Sequence, residues 1–329
     1  MPSPGSWSAG RSSRKLLLVL LLAGVLATEA QAVWVWTPQT RRWINPKYAA
    51  KDTPQAQMDW AVGFFEKKDY KRSSKEFIRL VRTYPRSELA PEAQYLAGVS
   101  FELLGRASPA FDTYKKLIEI YPFSPQFKDG IEREFLIAES LFGGKKMQFI
   151  GPIKVAALDK AIEIYQHVVD HAPYGDYGDH AQLRLGECYI RQARFEEANR
   201  AFQRVVDEYP NSPLLEIAKF KVAFCARQLS LKASYDQSAT DEAITWYESF
   251  IASHPDSDLV PQARESLKQL HDIRAEGLAN IARFYEKKGK PAAAAVYYRE
   301  ITRDYPDALV AAEAVSKLQE FEQRGLLKR

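Results

Sequence analysis

An aromatic or small residue followed by proline closes one apolar segment after another, and this recurrence restricts the fold more than any other feature of the chain. Pro85 and Pro122 are 37 residues apart, and so are Pro173 and Pro210. Because proline cannot continue a helix, each dipeptide predicts the end of one helix and a turn into the next, often with a serine to start it. The dipeptides are Tyr84-Pro85, Tyr121-Pro122, Ala172-Pro173, Tyr209-Pro210, His254-Pro255 and Tyr305-Pro306.

The spacing fits the 34-residue tetratricopeptide pattern, which has small residues at positions 8 and 20, aromatic residues at 11 and 24, and proline at 32. Small residues let the two helices of a pair cross closely, and the aromatic rings fill the space between pairs. Four repeats match at every position: Ala61, Phe64, Ser73 and Phe77; Gly98, Phe101, Ala110 and Tyr114; Gly186, Tyr189, Ala198 and Phe202; Ala282, Tyr285, Ala294 and Tyr298.

Two further repeats carry insertions. The third has Ala161 and Tyr165 before its proline, after a glycine-rich insertion, and the fifth has a turn lengthened over residues 231–241. The stretch from Pro261 to Lys288 predicts one long helix. Because a single pair cannot bury its apolar face alone, the pairs must stack. We therefore predict an all-α, tetratricopeptide-type helical-hairpin solenoid of about six helix pairs, with a C-terminal capping helix near residues 308–324.

The first 32 residues are typical of a cleavable export signal. A basic segment with Arg11, Arg14 and Lys15 precedes the apolar run from Leu16 to Leu26, and Ala30-Gln31-Ala32 follows. We therefore expect an exported protein that lies outside the cytosol. Residues 33–52 lack a helical period and predict an extended arm that docks on the solenoid or on a partner through its tryptophans, which are Trp34, Trp36 and Trp43.

The composition argues against nucleic-acid binding, because a formal charge of +4 on 329 residues supplies no strongly basic face. The sequence contains no Walker A loop, no Gly-x-Gly-x-x-Gly, no Gly-x-Ser-x-Gly and no His-Glu-x-x-His motif. We therefore predict no catalytic residues, no cofactor and no enzyme activity. Protein partners remain as the expected ligands.

Three histidines offer an alternative to this prediction. His167 and His171 are separated by one helical turn, and His180 follows with several aspartates, so the group resembles a metal or hydrolytic site. Histidines are also favourable at the C-terminal end of a helix, where they interact with its dipole. We favour that interpretation and predict no metal site.

The two cysteines, Cys188 and Cys225, fall at equivalent positions of adjacent repeats. Neighbouring helices lie about 8–10 Å apart, whereas a disulfide requires Cα atoms within about 7 Å. We expect two buried thiols, although an exported compartment also permits a bridge.

The order of these features resembles the BamD (ComL-type) component of the outer-membrane β-barrel assembly machinery, from about Thr53 to Leu326. The matching segments are Asp69-Tyr70, Phe77 and Tyr84-Pro85-x-Ser87; Asp236-Gln237, Thr240, Ala243-Ile244 and Tyr247; Phe250 and His254-Pro255-x-Ser257; Ile281-Ala282, Tyr285 and Gly289; and Asp304-Tyr305-Pro306-Asp307. One departure concerns the lipid anchor, because Leu22-Ala23-Gly24 is followed by Val25 and not by the cysteine that the family acylates. The resemblance thus implies a family member that lies in the periplasm or at the periplasmic face of the outer membrane, without that anchor and in peripheral association with the membrane.

The resemblance implies a scaffold with two binding regions. N-terminal repeats, residues 53–174, would receive unfolded outer-membrane proteins, and C-terminal repeats, residues 175–329, would dock on the barrel-forming subunit around residues 236–271. By the repeat register, the groove would be lined by Met58, Val62, Phe65, Tyr95, Val99 and Glu102. The alternative for these side chains is packing on the tryptophan-rich arm or on the next repeat. The alternative for the protein is a periplasmic repeat adaptor of a cell-wall, secretion or pilus complex.

Overall fold

The computed structural model describes residues 35–37, 42–44, 49–144, 155–232 and 237–327, and these residues form thirteen helices preceded by two short strands. Each helix packs against the next one along the chain. The predicted all-α repeat solenoid is confirmed. The helices are α1 (Pro54–Glu66), α2 (Tyr70–Thr83), α3 (Ala90–Leu103), α4 (Ala107–Ile120), α5 (Phe127–Phe142), α6 (Val155–His171), α7 (Gly178–Arg191), α8 (Phe195–Glu208), α9 (Leu215–Lys232), α10 (Gln237–Ser253), α11 (Val260–Lys287), α12 (Pro291–Asp304) and α13 (Ala311–Gln323).

The helices pair into six repeats. Repeat 1 is α1–α2, and the series continues through repeat 6, which is α11–α12, with α13 as the predicted cap. The long helix is confirmed as α11, Val260–Lys287. The lengthened turn of repeat 5 is shorter than predicted, because α10 already begins at Gln237 and buries Thr240 against the core. None of the helices in these described ranges is long and apolar enough to cross a membrane.

The N-terminal arm is a small hairpin where the structure describes it. Strand β1 (Val35–Thr37) pairs antiparallel with β2 (Arg42–Ile44), and Trp36 lies directly opposite Trp43. The sequence predicted an extended arm but not the pairing of its two strands, which the aromatic and β-branched residues favour. Trp34 and the predicted signal, residues 1–32, lie outside the described residues.

The six aromatic residues at position 24 form the centre of the stack, and all of them are fully buried. The small residue at position 8 makes room for this ring. A Cβ atom on Gly98 would lie 2.4 Å from the ring of Tyr114, and one on Gly186 would lie 2.5 Å from the ring of Phe202. The position-24 residues are Phe77, Tyr114, Tyr165, Phe202, Tyr247 and Tyr298.

In four of the six turns between repeats, a serine stands two residues after the proline and shapes the turn. The backbone N–H of Ser87 donates to the Tyr84 carbonyl over 3.0 Å, and its Oγ accepts from the backbone N–H of Leu89 over 3.2 Å. The same two contacts recur at Ser212 and Ser257. The sequence predicted that this serine starts the helix. The helix instead begins three residues later, so the serine closes the turn.

The first helix of repeat 3 has a large residue at position 8, Phe135, and a small one at position 11, Ala138, which is the reverse of the repeat pattern. The Tyr114 hydroxyl donates to Glu102 and the Tyr165 hydroxyl donates to Glu139, which places the two helices in a common register 37 residues apart. In that register Phe135 takes the place of Gly98. The Phe135 ring meets the edge of Tyr165 at 5.8 Å between centroids and stacks on Tyr177 of the following repeat at 4.9 Å.

Candidate protein-binding surface

The six predicted groove residues lie on the first helices of repeats 1 and 2, and they differ in accessibility. Met58 is 5% exposed and belongs to the core of repeat 1. The other five are half-buried: Val62, Phe65, Tyr95, Val99 and Glu102. These five side chains pack against the core on one side while keeping part of their surface accessible.

Aromatic contacts hold this surface in place. The Phe65 ring lies 5.5 Å from Tyr70 and 6.3 Å from Phe77. The Tyr95 ring lies 5.9 Å from Tyr114. Edge-to-face and tilted ring pairs of this kind add stability beyond the area that they bury. The surface is therefore rigid and mainly apolar, and suits a ligand with apolar side chains.

Glu102 is the charged member of the predicted groove, and it is engaged within the repeat. It accepts from the Tyr114 hydroxyl and lies 3.7 Å from Arg133. Burial raises the pKa of Glu102, while Tyr114 and Arg133 act in the opposite direction. Burial, together with the nearby carboxylate of Glu102, also raises the pKa of Tyr114 well above its ordinary value. Glu102 thus helps to fix the groove wall, in addition to any contact with a ligand.

Trp60 was not predicted as a surface residue, although it is 47% exposed. Its ring lies 5.0 Å from Phe64, and the Lys51 Nζ lies 4.3 Å above it. The repeat register could have predicted this exposure. Trp60 corresponds to Ala97 of repeat 2, which is buried against the preceding repeat. In α1, the first helix of the stack, the same position faces outward.

The predicted docking tryptophans of the arm are also accessible. Trp36 is 48% exposed and Trp43 is 64% exposed, in a directly paired register. Two exposed indoles side by side are unusual on a surface that contacts only water, and they suit a partner interface.

The predicted C-terminal docking region contains an open cleft of about 680 Å³ between α11 and the turn that joins α12 to α13. His271 and Tyr305 face each other in this cleft at 5.3 Å between ring centroids. The backbone N–H of Leu309 donates to Asp272 over 2.9 Å, and its side chain is exposed. The cleft overlaps the end of the predicted 236–271 region, of which residue 236 lies outside the described ranges.

The three histidines do not converge. His167 and His171 lie 4.0 Å apart between ring centroids, and both approach Glu119 of α4. His180 instead contacts its neighbour Asp179 over 2.8 Å. The structure therefore separates the group on which a hydrolytic site would depend. It instead brings together Glu119, His167 and His171, whose ligand atoms lie within 4.8 Å of one another.

Glu134 of α5 is fully buried, and its Oε2 lies 2.7 Å from the Nδ1 of His167. Burial raises the pKa of Glu134 to about 9. Burial also lowers the pKa of His167. Both shifts disfavour the charged forms of the two groups. Sequence patterns did not reveal this contact, because the two residues belong to different helices.

Cys188 and Cys225 are free and buried, as expected. Burial raises the pKa of each thiol to about 12. Because the thiolate is the reactive form, neither residue suits a nucleophilic role.

Comparisons with known proteins agree with the repeat architecture. Residues 153–328 match the YfiO family, described as outer membrane lipoprotein, and residues 92–124 match a tetratricopeptide repeat family. A curated relative is the outer membrane protein assembly factor BamD of Caulobacter vibrioides, which is 22% identical over 162 residues. The match covers 49% of this chain and 53% of that protein, so the chain spans about half the length of this relative.

Similar solved structures are repeat proteins of low sequence identity. MamA is 14% identical, with 61% of this chain and 92% of that chain covered and a TM-score of 0.33. A tetratricopeptide protein of the thermophile Thermus thermophilus is 17% identical, with coverages of 65% and 99% and a TM-score of 0.32. YrrB, whose structure is described as having an unusual peptide-binding site, is 15% identical, with coverages of 67% and 94% and a TM-score of 0.33.

Proposed function

The chain belongs to the YfiO family of outer membrane lipoproteins, and from that membership we propose that it is a non-catalytic scaffold of outer-membrane β-barrel assembly. The similarity to BamD supports a role as an outer-membrane assembly factor, and the tetratricopeptide repeats support binding to proteins. The observation that carries the proposal is the family match over residues 153–328, which includes the second helix of repeat 3 and the whole of repeats 4, 5 and 6.

In this proposal the first helices of repeats 1 and 2 receive unfolded barrel proteins. Strands of such proteins alternate apolar and polar residues and are rich in aromatic side chains near the membrane interfaces. The half-buried Val62, Phe65, Tyr95 and Val99 offer an apolar surface for one face of such a strand. Affinity would come from a few aromatic and aliphatic anchors, since the central side chains of an interface usually contribute most of its binding energy.

The C-terminal repeats dock on the barrel-forming subunit in the same proposal. The cleft between α11 and the α12–α13 turn combines Arg264, Lys268 and Asp272 with the rings of His271 and Tyr305. A mixture of charged and aromatic groups is typical of a specific protein interface, whose rim is polar.

The proposed location is the periplasmic face of the outer membrane, in keeping with the family. Val25 stands where the family carries its acylated cysteine, so attachment would depend on protein partners and on Trp36 and Trp43 of the arm.

The test is equilibrium binding of the tag-free exported protein to a fluorescently labelled, urea-unfolded outer-membrane barrel protein, diluted into buffer and followed by anisotropy. We expect Val99→Ser and Trp60→Ala to weaken binding by about 5- to 30-fold, the range of interface anchors. Val296→Ser is the matched control, because Val296 is exposed on α12, far along the stack. Circular dichroism checks that each variant is folded. Equal affinities for all three variants and the parent would contradict the proposed groove.

A further inference from the structure

Three side chains from two second helices converge at the junction of repeats 2 and 3. Glu119 of α4 and His167 and His171 of α6 each offer one ligand atom, and these atoms all lie within 4.8 Å of one another. The Nε2 of His167 lies 3.8 Å from the Oε1 of Glu119. Two imidazoles and one carboxylate form a common ligand set for zinc and for other divalent transition ions.

The His167 side chain is only 6% exposed, and its Nε2 has no hydrogen-bond partner. Buried ring nitrogens are normally paired, so an unpaired one that faces a carboxylate needs an explanation. The exposed ring of His171 lies 4.0 Å from the His167 ring between centroids, and the carboxylate of Glu119 is also exposed. Because both side chains are exposed, each has room for a small movement toward the nitrogen.

Contacts behind the two imidazoles orient them. Glu134 holds the Nδ1 of His167 at 2.7 Å. The Nδ1 of His171 lies 3.0 Å from the His167 carbonyl, which can only accept, so this nitrogen donates and the Nε2 of His171 carries the lone pair. Histidines that bind metals usually donate their other nitrogen to a carboxylate or a carbonyl in this way. An ion at the Nε2 of His167 requires a proton on the Nδ1 of the same ring, with a Glu134 oxygen as the acceptor.

Packing alone does not account for the buried carboxylate. In the register 37 residues apart, Glu134 corresponds to Ala97 of repeat 2, and the same position in repeat 4 is Leu185. Both of these are buried and apolar. An apolar side chain therefore fills this position in the neighbouring repeats without any histidine. The Glu134–His167 contact is a feature of repeat 3 that helix packing does not require.

The other acidic groups near these histidines are engaged elsewhere. Asp170 accepts from Gln166 over 2.8 Å, and Glu163 pairs with Lys160 over 2.9 Å. Lys115 is the main competitor, since its Nζ lies 3.9 Å from Glu119. That pair is exposed and one helical turn apart, so it is weak and a divalent cation would displace the lysine.

We propose that Glu119, His167 and His171 bind a divalent transition-metal ion of the zinc class, with water completing the coordination and Glu134 as a positioning residue. Ligand atoms of a tetrahedral zinc site lie roughly 3.4 Å apart, so the exposed Glu119 and His171 side chains must close by about 1 Å on the fixed His167. The bound ion would join α4 to α6 and thereby connect repeat 2 with repeat 3 across α5.

The test is zinc binding to the full exported protein, purified without a polyhistidine tag and stripped with a chelator. Competition with a chromogenic zinc indicator should give one site per chain with a dissociation constant of about 10 µM or tighter, and X-ray absorption should show two imidazoles per zinc. We expect His171→Ala and Glu119→Ala to lower the affinity at least about 10-fold, and Glu134→Gln to lower it by about 10- to 100-fold, the range for residues that orient a ligand. His180→Ala is the matched control, and it should leave the affinity unchanged.

Two results would overturn the proposal. One is the absence of zinc binding tighter than about 100 µM in the folded parent protein. The other is binding that survives His171→Ala and Glu119→Ala but is lost in His180→Ala, which would locate the ion elsewhere. His171 and Glu119 are both exposed, so loss of folding should not obscure the comparison. A thermal melt with and without zinc checks each variant, and the parent should gain stability that the His171→Ala variant does not.

Discussion

Repeat 3 lies between two repeats that follow the tetratricopeptide pattern closely, and it departs from them at three positions of its first helix. Repeats 2 and 4 donate a buried glutamine amide to a backbone carbonyl of the second helix, over 2.8 Å from Gln94 and 2.9 Å from Gln182. Repeat 3 has the apolar Ile131 in that register. It then places Glu134 where the neighbours have alanine or leucine, and Phe135 where they have glycine.

The difference shows that the spacing of a repeat can persist while its interior is rebuilt. The Tyr165 hydroxyl still reaches the glutamate that corresponds to Glu102, so the helices keep their register. The large ring has moved from position 11 to position 8, and it now contacts the next repeat through Tyr177. With this interior, the insertion-bearing repeat 3 still stacks between two regular repeats. It also places the polar pair of Glu134 and His167 at the junction with repeat 2.

The largest expected effect comes from replacing Phe135 with alanine. The neighbouring repeats have a small residue at this position, so a consensus argument predicts no loss. We expect a loss of about 3–5 kcal/mol, because a buried ring is removed from contacts with Tyr165 and Tyr177. Urea unfolding followed by circular dichroism measures the change. A stability equal to that of the parent would show that repeat 3 is packed like its neighbours.

The second prediction tests the close approach in repeat 2. Gly98→Ala should destabilise the protein by about 1–3 kcal/mol, because the new Cβ would overlap the buried ring of Tyr114. Gly63→Ala is the control in α1, where a Cβ would meet nothing within 4 Å. That variant should gain up to about 1 kcal/mol from helix propensity. Melting curves of the two variants should therefore move in opposite directions.

The third prediction concerns the buried Glu134 in the absence of metal. Glu134→Ala should cost about 1–3 kcal/mol, because it leaves the Nδ1 of His167 buried without a partner. Glu134→Gln preserves an acceptor for that nitrogen, so its loss should stay below about 1 kcal/mol. Chemical denaturation in the presence of a chelator compares the two. A glutamine variant as unstable as the alanine variant would mean that the carboxylic acid itself is needed.

The smallest expected effect compares the turns inside repeats 2 and 4. Gly105 and Ala193 both adopt positive φ, at 69° and 56°. Because a left-handed conformation strains an alanine, Ala193→Gly should gain about 0.5–1 kcal/mol. Gly105→Ala should lose a similar amount. Differential scanning calorimetry resolves changes in melting temperature of this size. A shift in the same direction for both variants would contradict the assignment of strain to Ala193.

Regular repeats were accessible from the sequence because their rules are local. Proline ends a helix, and small and aromatic residues recur at fixed positions, so Tyr114, Phe202 and Tyr298 were correctly expected in the core. The first helix of repeat 3 could not be aligned by these rules, since Phe135 and Ala138 reverse the size order. Only the contact between Tyr165 and Glu139 reveals the register.

The candidate sites were less predictable, because they depend on which helices meet. His167 and His171 were visible as a pair, but Glu119 and Glu134 join them from helices that lie far away in the sequence. The pairing of Trp36 with Trp43 likewise depends on a hairpin that the arm's composition alone did not indicate. The groove residues stay a prediction drawn from family resemblance and repeat register.

Site-specific photo-crosslinking in the native host tests the central claim most directly. A photoreactive amino acid replaces Val62, Val99 or Trp60 in the N-terminal repeats, and Val296 or Val315 near the C-terminal end serves as the exposed control. The scaffold account predicts that newly exported outer-membrane barrel proteins crosslink to the three N-terminal positions and not to the two controls. Crosslinks of equal strength at all five positions, or none to barrel proteins at the N-terminal ones, would contradict it.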